Sequence, residues 1–80
     1  MRLDKYLKVS RLIKRRTVAN EACDGSRVLV NGKAVKPAYD VKPGDLIELH
    51  FGTHTLKVEV LAVAEAVRKD DASALYRELP

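Results

Sequence analysis

Eighty residues, 46% of them apolar, make one small domain that can bury a core but is too short to hold a deep substrate cleft beside a separate binding module. Cys23 is the only cysteine, which excludes an internal disulfide and a multi-cysteine metal site. No run approaches the roughly 20 apolar residues of a membrane span, and the N-terminal charges are not followed by a signal-like apolar stretch, so a cytoplasmic protein with no membrane association is expected. The formal charge of +4 is unevenly spread: Arg2, Lys5, Lys8, Arg11, Lys14, Arg15 and Arg16 face a single acid, Asp4, while beyond them acids outnumber bases. Such asymmetry is the electrostatic footprint of a polyanion binder.

In chain order, the spacing predicts helix over residues 3–24. Leu3, Tyr6, Leu7 and Ser10 follow an i, i+3, i+4, i+7 pattern that Leu12 and Ile13 continue. Asp4 in the first turn suits the helix dipole. A break is expected near Lys14–Arg16, where adjacent cations repel and Thr17 is a good N-cap for a second helix packed through Val18, Ala19, Ala22 and Cys23. Gly25, free to adopt a left-handed conformation, ends that helix. Strand character follows. Residues 27–30 and 33–36 flank Asn31-Gly32, a strong signal for a type I′ hairpin in which both residues supply positive φ. Pro43-Gly44-Asp45 marks a second turn into the alternating segment 46–51, with Ile47, Leu49 and Phe51 on one face. Residues 52–55 turn the chain into a strand over 56–60 that reaches at furthest Val63. From Ala64 helical propensity returns, with Asp70-Asp71 capping a short terminal helix striped by Ala72, Leu75, Tyr76 and Leu79. The order is that of an α+β domain over residues 1–63 with a C-terminal tail, 64–80, whose short helix packs on it.

The chemistry lies in the basic cluster. Its cations lack acidic i, i+4 partners and repel one another, a cost offset by an anionic partner. Four of the seven are arginines, whose planar fork suits phosphate. Only Tyr6, Tyr39, Tyr76 and Phe51 are aromatic, and Tyr6 and Phe51 are expected in the core, so no stacking platform for single strands is anticipated. Contact with the phosphates of a shaped RNA is favoured over base-by-base reading. Lys33 can reach a phosphate from the hairpin rim, and Asp4 is expected to position Arg11 or Arg16. His50 and His54 lie on strand and turn without a completing carboxylate cluster, and no phosphate loop or nucleophile motif is present. No catalysis, cofactor or metal is expected.

The ordered runs Arg2-Leu3-Asp4-Lys5-Tyr6-Leu7, Arg11 to Thr17, Gly25, Val28 to Lys33 and Val41-Lys42-Pro43-Gly44-Asp45 resemble the S-four domain, the RNA-binding domain first recognised in small-subunit ribosomal protein four. The resemblance spans about residues 2–51 and is greatest to the stand-alone members of the RqcP family, less to the heat-shock-linked stand-alone proteins. It implies the alpha-L fold: two N-terminal helices on a small antiparallel sheet. It further implies a non-catalytic factor that binds the large ribosomal subunit obstructed by peptidyl-tRNA, contacts rRNA and tRNA, and supports tailing of the stalled chain by an RqcH-type partner. By position, Arg2, Arg11, Lys14, Arg15, Arg16 and Thr17 match the family's RNA-facing motif; Lys5 and Lys8 join them on charge and geometry. A monomer is expected. The alternatives are a general rRNA-binding factor in ribosome assembly or subunit recycling, and a protein-interaction adaptor using the stripe Leu75, Tyr76 and Leu79.

Overall fold

The computed structural model describes all 80 residues. The first helix, α1 (Leu3–Val9), forms where Leu3, Tyr6 and Leu7 recur at helical spacing, and all three side chains are fully buried. It stops earlier than the cation repulsion at residues 14–16 predicts. Ser10 closes it, and Arg11 takes φ +63°. That reversal returns Ile13 to the core, with its N–H donating to the Leu7 carbonyl. Arg11 and Lys14 therefore sit in a connecting turn rather than on a helix face.

The second helix, α2 (Arg16–Asp24), begins at Arg16 behind an extended Arg15, without a side-chain cap, so Thr17 lies within the first turn instead of capping it. Ala19, Ala22 and Cys23 are buried as expected, but Val18 is 45% exposed. The helix closes in a Schellman motif: the Arg27 N–H donates to Ala22 C=O and the Ser26 N–H to Cys23 C=O. The left-handed residue is Ser26, at φ +59°, and not Gly25, at φ −83°. Gly25 is suited to its place for another reason. A Cβ there would lie 3.3 Å from the Glu21 carbonyl oxygen.

Five antiparallel strands follow: β1 (Val28–Val30), β2 (Lys33–Ala34), β3 (Leu46–Phe51), β4 (His54–Val60) and β5 (Tyr76–Leu79), in the spatial order β2-β1-β3-β4-β5. Asn31 (φ +52°) and Gly32 (φ +84°) make the two-residue hairpin turn that the sequence predicts. Asn31 does more than turn. Its side-chain carbonyl accepts from the Leu46 N–H at 3.1 Å and its amide donates to Asp45 at 3.3 Å, tying this hairpin to the Pro43-Gly44 turn. Gly44 (φ +95°) follows Pro43 there, closed by the Asp45 N–H donating to Lys42 C=O. The β3–β4 loop is shorter than expected, only Gly52 and Thr53.

Val28, Val30, Ile47, Leu49, Val58 and Val60 form the buried face of the sheet, joined in one core with Leu3, Tyr6, Leu7, Ala19, Ala22 and Cys23. Phe51 is not in that core. It is 43% exposed, because strand alternation selects a face without ensuring that anything covers the end of the strand.

The C-terminal stripe is not one helix. A 3-10 segment over Lys69–Leu75 buries Ala72 and Leu75, and Tyr76 and Leu79 belong to β5, which pairs with β4 through Val60↔Tyr76 and Val58↔Glu78. Without β5, β4 would expose a row of backbone donors and acceptors, and closing that edge outweighs a weak local helical preference. The Leu75 carbonyl is the fastening point. It accepts from the Leu61 and Ala62 N–H groups and, at 2.8 Å, from the buried Tyr6 hydroxyl. Burial raises the Tyr6 phenol well above its ordinary pKa, so it stays a donor.

Truncation after Val67 is expected to abolish the cooperative thermal transition, since it strips the β4 edge and removes Leu75. Tyr6→Phe should retain the fold but cost about 1–3 kcal/mol in urea unfolding. A truncated chain that melts as the full one does would overturn this account of the tail.

Candidate nucleic-acid interface

The centre of the basic surface is a carboxylate. Asp4, with its side chain only 2% exposed, lies at the start of α1 where α2 approaches it. Arg2 straddles it, Nε to Oδ1 and a terminal nitrogen to Oδ2, both at 3.2 Å. Arg16, at the first position of α2, brings Nε to within 3.3 Å of Oδ2. The Lys5 N–H donates at 2.7 Å and the Asn20 amide at 3.4 Å. Burial by itself would raise the Asp4 pKa. The two guanidinium groups, the Lys5 N–H and the Asn20 amide more than offset this and hold it below the usual carboxylate range. The two arginines and the buried acid together carry one net positive charge, balanced in the cleft lining by exposed Glu21, and the guanidinium-bearing side chains stay 51% and 46% exposed. Each keeps N–H donors for an outside anion. Arg2, Asp4, Arg16, Thr17, Asn20 and Glu21 line this cleft.

A second cleft shares none of these residues. Lys8 of α1, Arg11 and Lys14 of the connecting turn, and Lys69 line it with Val9, Glu65, Ala66 and Val67. Lys5 pairs with Glu65, whereas Lys8, Arg11, Lys14 and Arg15 form no ion pair. Arg15 is exposed at the head of α2. Lys33 is exposed on β2 and lines neither cleft, so the structure separates it from the cluster. Gly25, Asn31 and Gly32 shape the backbone as described above.

Asp4 contacts Arg16, and its second partner is Arg2 and not Arg11. Sequence reasoning missed three participants. Asn20 lies one helical turn after Arg16 and was legible by that spacing. Glu65 and Lys69 come from the far end of the chain and left no local signal. Elsewhere, Cys23 is a buried thiol pushed up to about 11 by burial and by the nearby charges of Asp4 and Asp24. His50 Nε2 donates to the Glu48 carboxylate at 2.6 Å, and its Nδ1 is within 3.3 Å of the Thr55 hydroxyl. No three His, Cys, Asp or Glu side chains are grouped to hold a metal, and no helix is long and apolar enough to cross a membrane.

Because folding lowers the Asp4 pKa below its unfolded value near 3.8, its ionic contribution is present above that pH and is lost as pH falls through the folded value. Asp4→Asn should therefore be less stable than wild type at neutral pH, by about 1.5–3 kcal/mol for charge-assisted hydrogen bonds. The gap should narrow below about pH 3.8 in parallel urea titrations. A gap independent of pH would show that the carboxylate charge is not what holds the site.

Residues 1–47 match the family model described as S4 domain. The chain is 54% identical over 76 residues to the "RQC P-site tRNA stabilizing factor" of Halalkalibacterium halodurans, covering 95% of this chain and 86% of that protein. It is 51% identical to the protein of the same name from Streptococcus pneumoniae, with the same coverage. Among solved structures, the trimeric Heat Shock Protein 15 of Vibrio cholerae superposes with a TM-score of 0.92 at 32% identity, over 99% of this chain and 81% of that one. The chain belongs to the S4-domain family and, within it, to the family of the RQC P-site tRNA stabilizing factors.

Proposed function

We propose that this protein is a non-catalytic RNA-binding factor of the cytoplasm. It binds the large ribosomal subunit obstructed by peptidyl-tRNA, contacts rRNA and tRNA, and supports C-terminal tailing of the stalled nascent chain by an RqcH-type partner. The observation that carries this reading is the pair of arginines held by buried Asp4 at the α1–α2 junction. Unpaired Arg15 stands beside them, in a chain 54% identical to a relative named for stabilising P-site tRNA. The Asp4 anchor fixes the two guanidinium groups before binding, so less side-chain freedom is lost when phosphate arrives. A rigid forked surface of that kind suits the backbone of a folded RNA. Arg2, Arg16 and Thr17 would meet one stretch of backbone, and Arg15 would extend it. We take the monomer as the binding unit.

The S4 domain match over residues 1–47 is also compatible with one other reading, a broader rRNA-binding role in ribosome assembly or subunit recycling. The adaptor reading has less support, since Leu75 is buried and Tyr76 and Leu79 are taken up by β5.

Co-sedimentation with large subunits carrying P-site peptidyl-tRNA distinguishes these. Arg16→Ala and Arg15→Ala should each weaken binding, with the log–log salt slope shallower by about 0.7–0.9 for each phosphate that is no longer neutralised. Arg15→Ala should melt like wild type, because Arg15 makes no ion pair. Equal binding by wild type and both variants would defeat the assignment, and equal affinity for vacant subunits would favour the assembly reading.

A further inference from the structure

We propose that the cleft lined by Lys8, Arg11, Lys14 and Lys69 is a second phosphodiester-binding site, and that Glu65 is an internal competitor which lowers the affinity of this surface for RNA. The inference rests on the RNA-binding reading above and assigns a part in it to the C-terminal segment.

Four cations from three separate parts of the chain line this cleft, and Glu65 is the only acid among them. None of the four is within ion-pair distance of a carboxylate. Asp70 and Asp71 follow Lys69 in sequence yet do not line the cleft. Four like charges gathered without internal compensation repel one another, and an external anion relieves that repulsion. The lining offers long flexible side chains over Val9, Ala66 and Val67, all of them at the surface or half-buried, and no set of buried donors converging on one point. An open trough of that kind fits successive phosphates along a strand better than one small anion.

Glu65 enters as a carboxylate already seated at the edge of this field. It pairs with Lys5, which lines neither cleft but follows Asp4 of the first in sequence, so the pair ties Glu65 of the second cleft to the helix that carries Asp4. Its side chain is 77% exposed, so no packing holds it there. An exposed pair contributes little to stability and is readily exchanged for another anion. RNA reaching both clefts would displace Glu65 from Lys5, and Lys5 would then join the phosphate contacts. The carboxylate thus sets a threshold: weak anions leave the pair closed, and only a ligand that also engages the neighbouring cations opens it.

The test is a salt titration of binding to a fluorescently labelled deacylated tRNA, followed by anisotropy. Glu65→Gln should bind about five-fold tighter near 0.1 M salt, with a slope steeper by about 0.7–0.9 as Lys5 becomes available. The gain should vanish in a Lys5→Gln background. Lys69→Gln should bind about five-fold more weakly with a correspondingly shallower slope. All three residues are at or near the surface, and unchanged thermal transitions would confirm that the variants fold. If Glu65→Gln and Lys69→Gln bind like wild type while Arg16→Ala binds more weakly, the second site is refuted and the first reading stands. If Arg16→Ala also binds like wild type, the RNA-binding reading itself fails.

Discussion

A buried carboxylate between two arginines organises this molecule. Removing one charge from water costs several kcal/mol unless partners replace the lost hydration, so Asp4 can be ionised in its place only because Arg2, Arg16, Asn20 and the Lys5 N–H surround it. The dependence runs both ways. Arg2 and Arg16 are on different elements, and without the shared anion their charges would push α1 and α2 apart. With it, the helix junction closes and two half-exposed guanidinium groups are left facing outward. The fold and the candidate interface thus share one ion cluster, at the edge of a core too small to be indifferent to it.

The chain's end is as much a part of this arrangement as its beginning. The Leu75 carbonyl gathers donors from Tyr6 and from residues 61 and 62, so α1, the exit of β4 and the last strand meet at one atom. Segment 65–69, on the path between β4 and that atom, is thereby brought against the basic face of α1 and its following turn. A tail that local sequence describes as a weak helix becomes a closing strand together with one wall of a charged cleft.

Much of the fold was legible because its signals are local. Helical spacing placed Leu3, Tyr6 and Leu7 on one buried face, and Asn31-Gly32 and Pro43-Gly44 marked their turns through residues that tolerate or require positive φ. Alternation separated Ile47 and Leu49 from Glu48. Where expectation and structure differ, the cause is shared: local pattern does not say what packs over it. Alternation puts Phe51 on the inner face, yet nothing covers the end of its strand. Thr17 was assigned by its capping chemistry, although α2 starts where Arg16 meets Asp4. Gly25 was given the left-handed position that Ser26 fills one residue later, because a Schellman closure depends on where the last helical hydrogen bond falls. Of the cations at the two clefts, those within the first sixteen residues were legible, as was the contact of Asp4 with Arg16, but Lys69 was not. Nor was their sorting into two clefts.

From sequence alone came the class of the domain, the concentration of positive charge at one end, the inward-facing residues of both helices and the positions of the tight turns. Each depends on side chains within a few residues of one another, where backbone geometry dictates which neighbours can meet. Only the tertiary structure decided that Arg2 and Arg16 share a carboxylate, that Glu65 answers Lys5, and that residues 76–79 pair as a strand with β4. Those are pairings between segments distant along the chain, selected by an open sheet edge and by a buried charge that had to be neutralised, and neither exists until the chain has folded.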